Sequence, residues 1–271
     1  MNTLEGKICV VTGSTQGLGA AIARRFAASG AAGLLTLGRS EANGNKVAEA
    51  IKADTGVPCH FVRADLGEVD DCRKVMAEAD RVYGRVDVLV NAGAITERGT
   101  ILSTSPELFD RMFAINVRGP YFLMQEAIRM MIRDGVEGAI VNIGSTSALA
   151  GQPFISAYCA SKAALATVTR NTAFAVAANR IRVNQLNIGW MSSDNERALK
   201  LSETGDADWE EKAAATLPFG RLLDPDEVAK AVTFMASDDA GMMTGTVANF
   251  DQSVWGAYPD GPPVPDGPMT L

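Results

Sequence analysis

The sequence predicts a doubly wound α/β fold, a parallel sheet of about seven strands with helices on both faces. Three observations lead there. Short β-branched runs alternate with longer helix-periodic ones from residue 8 onward. The runs Ile8-Cys9-Val10-Val11 and Val86-Asp87-Val88-Leu89-Val90 are almost continuously apolar, as strands covered on both sides are. Three glycines follow the first run just where a helix begins, the place where such sheets bind dinucleotides.

In chain order, the pattern gives a strand at 8–12, a helix at 18–28, a strand at 34–37, a helix at 41–53 and a strand at 60–63. A helix at 69–83, a strand at 86–90, one long helix at 106–133, a strand at 139–143, a helix at 156–178 and a strand at 181–186 follow. Residues 189–217 break the alternation with two weak helices, 194–202 and 208–215, and no strand, which suits an inserted substrate lid. No linker or repeat interrupts the chain, so residues 1–255 read as a single domain. Residues 256–271 form a Pro/Gly-rich arm; with five prolines from 259 onward it is neither helix nor inner strand.

Composition removes several function classes. At 271 residues, 47% hydrophobic and 21% charged, the chain has a globular balance. A net charge of −7 gives no basic footprint, so nucleic acid and anionic membrane surfaces are not expected partners. His60 is the single histidine, which handicaps a Ser-His-Asp triad and an imidazole zinc site. Cys9, Cys59, Cys72 and Cys159 show no C-x-x-C spacing, so neither a disulfide framework nor a metal is expected. With no secretory leader and no apolar run of membrane length, the expected compartment is a reducing cytoplasm.

The chemistry begins at Gly13-Ser14-Thr15-Gln16-Gly17-Leu18-Gly19, whose glycines let backbone approach a pyrophosphate seated on the helix N-terminus. Taken alone, such a loop is also an ordinary strand-to-helix turn. Asp65-Leu66 and Asn91-Ala92-Gly93 end the third and fourth strands on the same edge, where Asp65 can accept from an adenine amino group; a helix cap and a tight turn explain them as readily. The second strand ends Thr36-Leu37-Gly38-Arg39-Ser40, with no acid to chelate a ribose diol. Arg39 can instead bond a 2′-phosphate, so the expected cofactor is NADP(H) rather than NAD(H), although Glu41 follows closely and an Arg in a loop is often a solvated charge.

Tyr158 and Lys162 stand four apart on one predicted helix. A phenol with a pKa near ~10 needs a neighbouring ammonium to exchange protons at neutral pH, and Lys162 is expected to lower it. Ser145 ends the fifth strand, where its hydroxyl can hold a carbonyl oxygen.

Glycine loop, Asn-Ala-Gly, Ser145, Tyr158 and Lys162, in this order on these strands, resemble the short-chain dehydrogenase/reductase family over roughly residues 5–253. The resemblance implies a Rossmann fold with strand order 3-2-1-4-5-6-7 and an NAD(P)(H)-dependent oxidoreductase interconverting a secondary alcohol and a ketone. Tyr158 would be the acid/base, Ser145 would orient substrate, and Lys162 would bind the nicotinamide ribose and depress the Tyr158 pKa. Asn116 would hold a water in the proton relay. Gly189 and Ser193 would meet the carboxamide, in Asn187-Ile188-Gly189-Trp190-Met191-Ser192-Ser193, where Ile188 replaces the family's usual proline. A homo-oligomer, tetramer or dimer, is implied too, although Asp251-Gln252-Ser253 departs from the usual Asp-Gly-Gly at the edge that builds it.

The expected pocket wall mixes apolar Leu149, Phe154, Trp190 and Met191 with polar Ser147, Gln152, Asp194, Asn195 and Glu196, which suits a sugar or polyol. A 3-oxoacyl thioester, a steroid-like ketone and a non-catalytic dinucleotide sensor are the alternatives.

Overall fold

The computed structural model describes residues 3–149 and 151–254; the predicted arm at 256–271 lies outside them. Seven parallel strands make one sheet in the order β3-β2-β1-β4-β5-β6-β7: β1 Ile8–Thr12, β2 Gly33–Gly38, β3 Cys59–Arg63, β4 Val88–Asn91, β5 Ala139–Ser145, β6 Arg182–Ile188 and β7 Val247–Phe250. The expected strand order is present. It reverses between β1 and β4, so a crevice opens beyond their carboxyl ends.

Alternate residues of each strand feed two cores. Cys9 and Val11 of β1 pack with Ile22 and Phe26 of α1 (Gly17–Ala28) and with Val228 and Val232 of α9 (Pro225–Ala236). Val10 turns to the other face, onto a layer built from Val75 and Met76 of α3 (Val69–Tyr83) and Leu123 and Met124 of α5 (Gly119–Asp134). Such side chains, each worth ~1.5–3 kcal/mol when fully buried, explain why the inner strands read as unbroken apolar runs. On the first face, α2 (Glu41–Thr55) covers β2 and β3, starting from Ser40, whose hydroxyl accepts from the Asn43 N–H.

Two expectations need correction. The long helix at 106–133 is two helices, α4 (Pro106–Phe113) and α5, joined by a π turn over Ala114–Arg118. Pro120 has no N–H to give the carbonyl of Asn116, and the Gly119 N–H bonds five residues back to Ala114, so the ladder widens there. Gly119 also lies against the main chain of Leu66, where a Cβ would come within 2.4 Å of the carbonyl oxygen. The second correction is an omission: α9 and β7 went unassigned. Asp224 and Glu227 form a reciprocal capping box at the start of α9, a signal present in Asp224-Pro225-Asp226-Glu227.

Helix α6 (Ser156–Ala175) crosses behind β5 and β6. The segment after β6 carries α7 (Asp194–Thr204) and α8 (Trp209–Ala215), matching the two predicted lid helices within a few residues. No helix among the described residues is long and apolar enough to cross a membrane.

Candidate active site

The glycine loop is built around two contacts that exclude side chains. Gly13 has φ +66°, and a Cβ on it would lie 2.6 Å from the Gly93 Cα; a Cβ on Gly19 would lie 2.4 Å from the Gly13 carbonyl oxygen. The loops after β1 and β4 therefore touch through bare backbone. Thr12 fastens the seam, its hydroxyl oxygen accepting from both the Ala92 and Gly93 N–H groups at 2.9 Å. Ser14 is turned inward: its hydroxyl donates to the Val11 carbonyl at 2.8 Å and accepts from the Leu37 N–H at 3.0 Å, while its own N–H donates to Leu37. Ser14 thus braces the loop on β2 and has no free donor for a ligand. Gln16 precedes α1 without capping it, leaving the first-turn N–H groups of Gly17, Leu18 and Gly19 directed outward with the positive end of the helix dipole.

These groups line a cavity of about 540 Å³ together with Ala92, Gly93, Ser145, Tyr158 and Lys162. A cradle of glycines that a Cβ would fill, opening on unpaired helix N–H groups, fits the pyrophosphate of a dinucleotide. Beyond the seam, Asp65 uses one carboxylate oxygen to accept from the Gly67 N–H at 2.8 Å, and buried Leu66 packs against Gly93. Asn91 donates to Asn142 at 2.8 Å, leaving its own buried amide oxygen without a partner. Thr15 packs over Gly38, which puts exposed Arg39 next to the loop, paired with no carboxylate among the described residues.

At the catalytic end, Lys162 is buried; its Nζ donates to the Ile143 carbonyl at 2.8 Å and stands 5.7 Å from the centre of the Tyr158 ring. Burial pushes the Tyr158 phenol up to about 12, against the pull of the Ser145 hydroxyl. Burial also brings the Lys162 ammonium down to about 8. The expectation that the ammonium holds this phenol below its ordinary value is therefore not met: withdrawal from water is the largest influence on it, and the Ser145 hydroxyl is what opposes it. Ser145 Oγ accepts from the Ser147 N–H at 3.1 Å and keeps its own proton to donate.

Asn116 sits in the π turn, nearly fully buried. Its amide accepts from the Ile95 N–H and donates to the Ile95 carbonyl and to Ser161 Oγ, each at 3.0 Å, so the side chain ties the loop after β4 to α6. Whatever it offers a water comes from its main chain, whose carbonyl has lost the usual donor at Pro120.

Gly189 is pressed against Asp251, whose carboxylate would lie 2.1 Å from an added Cβ, and Ser193 caps α7 by accepting from the Glu196 N–H at 3.2 Å. Both line the cavity, together with Ser147, Gln152, Phe154, Trp190, Met191 and Glu196. Leu149 and Asp194 do not; they are exposed, and Asp194 pairs with Arg197. The Asn195 side chain lies outside the described set. Sequence reasoning missed Thr12, which reads as an ordinary strand residue, and the ion pair of Arg98 with Glu203, bidentate at 2.8 and 3.1 Å, that fastens α7 to the loop after β4. The two residues are 105 apart, beyond any local pattern.

A family model described as enoyl-(acyl carrier protein) reductase matches residues 13–252. A solved structure described as a short chain dehydrogenase/reductase family protein is 37% identical, with TM-score 0.80, covering 92% of this chain and 97% of that one. Galactitol 2-dehydrogenase of Agrobacterium fabrum is 29% identical over 93% of this chain and 98% of its own. The crystal structure of L-sorbose reductase from Gluconobacter frateurii, complexed with NADPH and L-sorbose, is 26% identical with TM-score 0.88, covering 95% of this chain and 100% of that one.

Proposed function

The chain belongs to the short-chain dehydrogenase/reductase family and is an oxidoreductase acting on CH–OH groups; on that premise we propose that it interconverts a secondary alcohol of a sugar or polyol and the corresponding ketone, with NADP(H) preferred to NAD(H). The observation that carries the reading is one cavity lined by both the glycine loop and Ser145, Tyr158 and Lys162.

A bound nicotinamide dinucleotide supplies or accepts the hydride. The backbone of Gly13, Thr15, Gln16, Gly17, Leu18 and Gly19 would hold its pyrophosphate, with Ser14 as the brace behind them. Asp65, Leu66, Asn91, Ala92 and Gly93 would flank the adenosine, and Arg39 would take the 2′-phosphate. Gly189 and the Ser193 hydroxyl would receive the carboxamide, and Lys162 the nicotinamide ribose. Ser145 donates to the substrate oxygen and holds it toward Tyr158 Oη, which gives that oxygen a proton in reduction and takes one in oxidation. Lys162, fixed by the Ile143 carbonyl, supports the phenolate by charge. The Asn116 main chain would place the water that renews the proton.

Two polar walls support a hydroxyl-rich substrate. Ser147 donates to Gln152 at 2.6 Å on one side, and Glu196 accepts from the Trp190 indole at 2.9 Å on the other. The galactitol and sorbose enzymes among the relatives point the same way. A thioester reductase is the second reading, favoured by the description of the matching family model. We read residues 1–255 as one catalytic domain with its lid at about 189–217, working as a cytoplasmic dimer or tetramer; exposed Ile101, Leu102 and Phe174 support association. Steady-state reduction of NADP+ and NAD+ with polyols, hydroxysteroids and 3-hydroxyacyl thioesters tests the proposal. Turnover confined to thioesters would replace the polyol reading.

A further inference from the structure

Cofactor choice is usually sought at the end of β2, but the register of the sheet brings a second cation there. Arg63, the last residue of β3, pairs with Gly38. Residues opposite one another in a parallel pair share a face, and Gly38 faces Thr15 of the glycine loop. Phe61, two residues earlier on the same face, packs under α2, where a Cβ on Gly44 would lie 2.0 Å from its ring. Two strand residues advance about 6.6 Å, or about four residues of helix, which brings Arg63 level with Ser40, beside Arg39.

Both guanidiniums are exposed, and neither pairs with a carboxylate among the described residues, unlike Arg85, Arg98 and Arg133. Glu41, on the first turn of α2, is exposed and bonded to neither. Two exposed cations without carboxylate partners, carried by the ends of adjacent strands, favour an anion between them. We propose that Arg63 is the second ligand of the 2′-phosphate, closing on it from β3 while Arg39 approaches from the β2 loop. The proposal rests on the dinucleotide reading above. A phosphate monoester carries about −1.5 to −2 charges at pH 7, which two guanidiniums match.

The test is equilibrium binding by calorimetry of two probes differing only in that group, adenosine 2′,5′-bisphosphate and adenosine 5′-monophosphate. The wild-type protein should bind the bisphosphate at least about tenfold more tightly. Arg63→Ala should weaken the bisphosphate about tenfold and move the monophosphate less than twofold, Arg63→Lys should recover part of the loss, and Arg39→Ala with Arg63→Ala should erase the preference. Equal losses for both probes, or a bisphosphate affinity indifferent to Arg63→Ala, would overturn the proposal while leaving the dinucleotide site standing. Failure of both probes to bind the wild-type protein would overturn the dinucleotide reading, and this proposal with it.

Discussion

Lys162 Nζ stands 5.7 Å from the centre of the Tyr158 ring and is anchored to the Ile143 carbonyl, which fixes the spacing of the two side chains. Burial drives the two groups toward neutrality from opposite sides, the phenol upward and the ammonium downward. Each is thereby held nearer its neutral form than the same group in water.

Tyr158→Phe removes the hydroxyl that the proposed mechanism uses to exchange a proton with substrate and little else. Turnover is expected to fall about a thousandfold, within the usual range for loss of a general acid/base. Cofactor affinity, read by nucleotide fluorescence, should stay within a few-fold of wild type. Normal turnover in this variant would remove the mechanism.

The Lys162 ammonium has a folded pKa of about 8 against 10.5 when unperturbed, so between these values the unfolded chain binds a proton that the native protein lacks. Stability must then rise with pH across that window: the penalty is complete below pH 8 and gone above 10.5, an integral of about 3 kcal/mol. Denaturant titrations of wild type and Lys162→Met from pH 7 to 10.5 should show their stability difference shifting in favour of wild type as pH increases. A difference that is flat with pH would show that the ammonium is not desolvated.

Gly13→Ala meets two obstacles together, a left-handed backbone and a main chain in the way. A loss of at least about 2 kcal/mol in stability is expected, with weakened dinucleotide binding, measured by thermal unfolding with and without cofactor.

Thr12→Val keeps shape and strand preference but leaves the Ala92 and Gly93 N–H groups without their acceptor. Unfolding should become easier by about 1–3 kcal/mol, and cofactor affinity should drop more than substrate affinity in the saturated enzyme. Unchanged cofactor affinity would show that the seam stays closed without Thr12.

Much of this was legible in advance where burial is two-sided. The strands β1, β2, β4 and β5 declare themselves because almost every side chain is inside, and the Tyr158–Lys162 spacing needs only a helix to become a geometry. β7 is a partly exposed edge strand of four residues with no strong alternation, and it drew no assignment. The π turn was illegible because its apolar period continues the helices on either side. Ser14 looked like a ligand residue and is a brace, since sequence shows a hydroxyl without showing which way it turns. Arg63 read as a strand end until the register placed it opposite Gly38.

The widened turn at Ala114–Arg118 has a consequence for how this chain tolerates length changes. Relative to a continuous helix it holds one additional residue, and one residue corresponds to about 100° of rotation. The widening takes up that residue, so deleting one there would restore an uninterrupted helix and leave the stripe of Leu123, Met124, Ala127 and Met131 on the sheet it covers. A library of single-residue changes should therefore find this stretch more forgiving of a deletion than of an insertion, which would turn the stripe by about 100° from the sheet.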